Sequence, residues 1–323
     1  MPRLLVRAFA LLLAPYASVA MGQADAARAS AACPIKVVVP FVGGGTIDQA
    51  ARLMLARSQG ITLTVDNRIG NGSHFGAEVL AKSEPDGCTA LFAPVSTYAA
   101  ALALRRAVHY DLAGDFAAVA VVANAPHVLI AHPSLPVKSV RDLIALARAR
   151  PGEIRWGTPD SAPVMQLELA LFTSLTALKL QPVKADSTQL ASEIAAGKAE
   201  AAFETIVAAL PLIKSGKLRA IAGAGTQRSP ALRDVPTLAE SGLAAFNADY
   251  WYMILMPEGT SRAQIARLDA ALAPALGAGE LRDKLLAYGM EARYLGAADG
   301  AKTMQAEIAR WARVANTAGP GAP

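Results

Sequence analysis

Apolar residues follow two rhythms along this chain. Short β-branched runs such as Val37-Val38-Val39 alternate with longer stretches whose apolar positions recur at helical spacing. Ile35 to Pro40 reads as a strand, Thr46 to Ser58 as a helix, Ile61 to Asp66 as a strand, Ser73 to Ser83 as a helix and Thr89 to Ala93 as a third strand. This alternation predicts a parallel sheet with helices on its faces. A second series begins after His132-Pro133-Ser134-Leu135-Pro136, where the capping box Ser139-Val140-Arg141-Asp142 opens a helix that Pro151-Gly152 ends. Strands follow near Ile154 to Gly157, Leu180 to Lys184, Ala199 to Glu204 and Arg219 to Ala224, with helices between them. From Pro257 onward the pattern is mostly helical, with Gly289 placed to stop one helix and Glu307 to Val314 in the last.

Two apolar segments, Phe116 to Ile130 and Asp249 to Met256, lack helical spacing and lie where one α/β series gives way to the other. Read as two crossing strands, they place 34–124 and 252–323 in one lobe and 125–251 in a second. The expected fold is therefore α/β with two lobes, each a mostly parallel sheet flanked by helices. Two lobes joined by a double hinge form a clamshell that can close on a ligand.

The first residues stand outside this scheme. Arg3 and Arg7 precede the apolar Ala8-Phe9-Ala10-Leu11-Leu12-Leu13-Ala14, and small residues follow at Ser18-Val19-Ala20. That is the order of a secretory signal peptide, expected over 1–24, and it predicts export to the periplasm. Asp25 and Arg28 separate Cys33 from the apolar stretch, which argues against lipid attachment there. No later segment carries the ~18 uninterrupted apolar residues of a membrane span.

A chain of 323 residues, 53% hydrophobic and 18% charged, can bury the core of two domains. Its net charge of +5 comes from scattered lysines and arginines without the aromatic interleaving of nucleic-acid grooves. The charge excludes little except nucleic acid as a partner, and it mildly favours anionic ligands.

Between the first strand and the first helix stands Phe41-Val42-Gly43-Gly44-Gly45-Thr46-Ile47-Asp48. In an open α/β sheet, ligands lie beyond the carboxyl ends of the strands, where helix N-termini aim unpaired N–H groups and a partial positive charge. Glycines let the main chain approach a ligand closely, so the loop suits an anion. It is no Walker phosphate loop, because no lysine follows Gly45, and it is no dinucleotide fingerprint, because Asp48 occupies a glycine position. A merely tight turn is the plain alternative for one such loop. It weakens because the next strand end carries a second, Gly70-Asn71-Gly72-Ser73-His74-Phe75-Gly76. Asp48, within the first turn of its helix, is read as a loop organiser. His74 is either a donor to a ligand carboxylate or an ordinary loop histidine.

Catalytic and metal chemistry finds little support. His74, His109, His127 and His132 lack metal-helix spacing, two cysteines make no thiolate cluster, and no nucleophile elbow appears. No cofactor or metal is expected, and the chain is read as a non-enzyme. Cys33 stands before the first strand and Cys88 before the third. In a doubly wound lobe with the usual 2-1-3 order these strands are neighbours about 4.8 Å apart, within disulfide reach. An oxidising compartment favours that pairing over two buried thiols.

Several spaced motifs together resemble a known family, the periplasmic substrate-binding receptors of tripartite tricarboxylate transporters, or Bug receptors. They are Val38-Val39-Pro40-Phe41 with Gly44-Gly45, Asp48 and Arg52; Asn67-Arg68 with Gly70, Gly72, Gly76 and Ala77; and Pro85-Asp86-Gly87. Then come His132-Pro133-Ser134-Leu135-Pro136, Gly216-Lys217-Leu218-Arg219-Ala220, Arg228-Ser229-Pro230-Ala231-Leu232, Asp234-Val235-Pro236-Thr237, Pro257 with Gly259-Thr260, and Trp311. The resemblance implies a type II-like periplasmic-binding-protein clamshell that captures a small organic carboxylate and delivers it to the permease subunits of a tripartite tricarboxylate-type transporter. It implies a first jaw of Phe41 to Asp48, helped by Gly72, Ser73, His74 and Phe75 and by Ser96 and Thr97. The second jaw it implies is Thr158 to Gln166, including Ser161, Ala162 and Pro163, with Lys184, Glu204 and Thr205 nearby.

The chain departs from the family in that second jaw. Thr158-Pro159-Asp160-Ser161-Ala162-Pro163 replaces a run of serines, glycines and asparagines, and Glu204-Thr205 replaces an Asp-Asn pair. Lys184 either pairs with a distal ligand carboxylate or is a solvated lysine at a strand end. The expected receptor is monomeric. A periplasmic sensor that presents its closed form to a signalling partner is the alternative that sequence alone leaves open.

Overall fold

The computed structural model describes residues 33–318; the leader expected at 1–24 lies outside them. From Ile35 onward both sheets belong to one compact unit. Strand β1, Ile35–Val39, buries Val37, Val38 and Val39 together, as a strand covered on both faces must. It lies between β2, Leu63–Asn67, and β3, Thr89–Pro94, and runs parallel to both. The expected 2-1-3 order is therefore present, with helices α1 (Thr46–Leu55), α2 (His74–Ala81) and α3 (Val95–Ala103) after the three strands. Cys33 and Cys88, the chain's two cysteines, are both disulfide-bonded.

The apolar segment from Phe116 to Ile130 is two strands. β4, Phe116–Asn124, belongs to the first sheet, and β5, His127–Ala131, to the second. The break falls at Ala125-Pro126, since proline has no N–H to continue a ladder. The second sheet adds β6 (Arg155–Pro159), β7 (Gln181–Ala185), β8 (Ala201–Thr205) and β9 (Arg219–Gly223) in the order β7-β6-β8-β5-β9. Its helices are α4 (Val140–Ala149), α5 (Pro163–Thr176), α6 (Leu190–Ala195) and α7 (Ile206–Lys214). The chain then returns to the first sheet as β10, Trp251–Pro257, which inserts antiparallel between β3 and β4. Helices α8 (Arg262–Gly277), α9 (Gly279–Ala287) and α10 (Ala297–Ala318) form the helical C-terminal quarter.

Within that quarter stands a strand the pattern did not predict, β11, Glu291–Gly296, at the edge of the first sheet beside β4. Its sequence, Glu-Ala-Arg-Tyr-Leu-Gly, has no β-branched residue and is half exposed, so it carried no strand signal. The parallel strands of each sheet are thus extended by antiparallel ones, and both sheets are mixed. A continuous core runs through both, with Trp156 stacked on Phe172, Phe203 packed edge-on against Phe172 and next to Phe246, and Trp311 of α10 fully buried. Helix α5 packs against α3 and α10, which tethers the two sheets beyond the crossing strands.

This topology brings the carboxyl ends of the parallel strands together. β10 is antiparallel to β3, so Tyr252 lies level with Pro94 at the end of β3. Likewise β5 is antiparallel to β8, and His127 lies level with Thr205 at the end of β8.

Candidate functional site

The loop after β1 is built around one carboxylate. Asp48, fully buried, accepts from the Gly44 amide (2.8 Å) and Arg52 Nε (2.8 Å) through Oδ2, and from Asn67 Nδ2 (2.8 Å) through Oδ1. Asn67 also donates to the Phe41 carbonyl (3.0 Å), and Arg52 Nη2 donates to Asn67 Oδ1 (2.9 Å), closing a network between β1, α1 and the end of β2. Burial opposes ionisation of Asp48, but the bonds from Arg52, Asn67 and Gly44 outweigh it and hold the carboxyl below its ordinary range. The Gly45 amide bonds back to the Val42 carbonyl (3.0 Å). The amides of Gly44 and Gly45 are therefore used inside the loop, which leaves the amides of the first helical turn, Thr46 and Ile47 among them, without an intrahelical acceptor. Gly44 has φ +79°, the left-handed region, and no atom lies within 4 Å of where its Cβ would stand.

The second glycine loop is more contorted. Asn71, Gly72 and Ser73 take φ of 47°, 60° and 80° in succession. Ser73 then precedes α2 with its hydroxyl buried and without a hydrogen-bond partner. A Cβ at Gly72 would lie 2.6 Å from the Ser161 carbonyl oxygen, so this loop touches the loop after β6. That contact joins the two expected jaws. Ser161 Oγ in turn donates to Ser187 Oγ (2.7 Å).

His74 sits among Tyr98 and Tyr110, with Nδ1 bonded to the Tyr110 hydroxyl (2.7 Å). Desolvation lowers its pKa to about 4, against a smaller opposing effect of Glu78, so it is neutral at physiological pH. An unfolded histidine titrates near 6.5, so between pH 6.5 and about 4 the unfolded chain binds the extra proton. Stability should fall through that window on acidification, by about 3 kcal/mol from this residue. Urea denaturation across the window checks it, and His74→Gln should flatten the curve; an unchanged slope would remove His74 as the cause. Phe75, beside it in sequence, is exposed, as are the large apolar side chains of Val42 and Ile69.

The other expected residues divide. Thr97, after β3, shares a 2.5 Å hydrogen bond with the Tyr250 hydroxyl at the start of the return crossing. Ser96 is committed elsewhere: its hydroxyl donates to Glu307 of α10 (2.6 Å) and accepts from the Trp251 amide (3.0 Å). In the second jaw Thr158 is buried, and Ala162 and Pro163 open α5. Gln166, also buried, donates to the Pro159 carbonyl (3.0 Å) and accepts from Arg106 of the first sheet's side (2.7 Å). Glu204 is buried and accepts from the Thr205 amide (2.6 Å), while Thr205 caps α7. Desolvation pushes the Glu204 carboxyl above its ordinary range. Lys184 is highly exposed and pairs with Asp160 (2.6 Å), so this exposed ion pair contributes little to stability.

Sequence reasoning missed four participants: Arg106, His127, Glu168 and Tyr250. Glu168 had a signal, since it and Gln166 are the polar positions in the otherwise apolar run from Pro163 to Phe172. An isolated charge on a buried helix requires a partner. Its partner is His127, whose Nδ1 lies 2.6 Å from Glu168 Oε2.

The model of the tripartite tricarboxylate transporter family receptor matches residues 47–319. The protein BugT of Bordetella pertussis is 33% identical over 293 residues, covering 88% of this chain and 89% of BugT. Among solved structures, Rpa4515 from R. palustris, with adipate, superposes with TM-score 0.78 at 32% identity, covering 90% of this chain and 98% of its own. MatC from Rhodopseudomonas palustris, with bound malate, superposes with TM-score 0.75 at 28% identity, covering 87% of this chain and 98% of its own.

Proposed function

This chain belongs to the tripartite tricarboxylate transporter family of receptors, and from that premise we propose that it captures a small organic carboxylate between its two lobes in the periplasm and hands it to the permease subunits of such a transporter. The observation that carries the reading is the Asp48-centred loop: its hydrogen bonds fix the first turn of α1 so that the Thr46 and Ile47 amides stand at the strand ends. Gly72 against Ser161 supplies the second side of the clamp. The adipate and malate bound by the two solved relatives support the ligand class.

On this reading the lobes comprise 34–124 with 252–323 and 125–251, and they hinge where β4 passes into β5 and where the chain returns to β10. The receptor works as a monomer after removal of the leader. It binds without turnover and has no nucleic-acid partner. A thermal-shift screen of purified mature protein over dicarboxylates, hydroxy acids, aromatic acids and amino acids tests the function. At 100 times the dissociation constant, one bound ligand should add about 2.7 kcal/mol of stability. Stabilisation by sugars or cations alone would overturn the carboxylate reading, and conversion of a bound carboxylate would overturn the receptor reading.

A further inference from the structure

Among the described residues, the buried side-chain atoms without a hydrogen-bond partner are Ser73 Oγ, His127 Nε2 and Arg310 Nε. Two of the three stand at the ligand ends of strands, one on each side of the cleft: Ser73 follows β2, and His127 opens β5 level with Thr205 at the end of β8. From this placement we infer that His127 Nε2 donates a hydrogen bond to an oxygen of the bound ligand, a contact that deepens the carboxylate reading and rests on it.

Charge balance sets the direction of the bond. Glu168 is 1% exposed, and His127 lies 2.6 Å from it and is equally buried. A pair this deep stays net neutral, which places one proton between Glu168 Oε2 and His127 Nδ1 and the other on Nε2. That Nε2–H is a donor without a partner in a dry site. Such a donor costs free energy unless an acceptor arrives, and a carboxylate or hydroxyl oxygen is that acceptor. The groups facing His127 are Glu168 from α5, Glu204 from β8 and Tyr250 from the segment before β10, whose ring lies 4.9 Å from the imidazole. The Tyr250 hydroxyl continues to Thr97 across the crossing, so the floor of the cleft joins both lobes through the same group of side chains. Glu168 is a positioning residue here, since it holds the tautomer of His127 and acts on the ligand through it.

The experiment is calorimetry of the mature protein with adipate, malate, benzoate, arginine and glucose as probes, in wild type and in His127→Gln, His127→Phe and Glu168→Gln. For each probe that binds wild type, His127→Phe should weaken binding roughly 10- to 100-fold, as loss of a charge-assisted bond requires. His127→Gln, which retains an N–H donor, should recover part of that loss. Glu168→Gln, which can still orient the ring through an uncharged partner, should weaken binding less than His127→Phe does. Circular dichroism establishes that each variant is folded, and where His127→Phe is not, the affinity of His127→Gln decides. Unchanged affinity in folded His127 variants overturns the contact. If glucose alone binds, the carboxylate reading fails while the contact still stands or falls on the same variants. Binding of none of the five to wild type overturns both.

Discussion

Gly44→Val is expected to abolish ligand binding while leaving a folded protein. The main chain at this residue is left-handed, with φ +79°, and a β-branched side chain is a strong outlier there. Nothing occupies the space within 4 Å of the added Cβ, so the substitution meets no core atom and the penalty falls on the loop itself. To relieve it the loop must move, and with it goes the 2.8 Å bond from the Gly44 amide to Asp48 that fixes the start of α1. Strain of ~1–3 kcal/mol is enough to unseat an exposed loop and too little to unfold a domain of this size. Gly44→Ala should show the same loss in milder form. Calorimetry with the best carboxylate from the screen, alongside circular dichroism, measures both; undiminished affinity in Gly44→Val would place the ligand elsewhere.

Asp48→Ala should lower the stability of the first lobe by undoing this loop network. It strips partners from the Gly44 amide, Arg52 and Asn67 at once, beneath a carboxylate that is wholly buried. Three hydrogen bonds to a buried carboxylate are lost while their half-exposed donors can turn to water, which costs about 2 kcal/mol, and for a domain this large that lowers Tm by roughly 4–8 °C. The folded pKa of Asp48 is depressed, so its contribution is present above the unfolded carboxyl range and is lost on acidification through the lower folded value. Asp48→Asn keeps one acceptor but opposes an amide to Arg52 or Asn67, and it should fall between wild type and Asp48→Ala. A Tm within 2 °C of wild type for Asp48→Ala, where about 1 kcal/mol is the least a lost buried network costs, would show that the loop does not depend on this residue.

The first lobe was more legible than the second. The network around Asp48 links residues whose spacing is dictated by one strand, one turn and one helix, so an acidic residue in the first helical turn could be read as an organiser before any coordinates. In the second jaw, Lys184 pairs with Asp160 in solvent, and the buried His127–Glu168 pair had no counterpart in the sequence pattern. An isolated histidine in an apolar crossing segment carries no local sign of its partner.

What the order of apolar and polar residues determined by itself was the succession of strands and helices, the two crossings, the glycine loops at strand ends and the pairing of the two cysteines. The elements and loops depend on periodicities of two and of 3.6 and on backbone freedom at glycine, which are written locally, and the cysteine pairing follows from the 2-1-3 strand order usual for such a succession. Only the tertiary structure decided which polar groups are bonded within the protein and which are left without a partner. Ser96 looked like a cleft residue until Glu307, 211 positions away, claimed its hydroxyl, and Gly72 met Ser161 only because two lobes fold against each other. β11 likewise became a strand because β4 offered it an edge, although its own sequence has no β-branched run. The physical reason is the same in each case: a buried polar group or an unpaired strand edge is satisfied by whatever the fold brings beside it, and that neighbour is set by the packing of distant segments rather than by the residue's own surroundings in the chain.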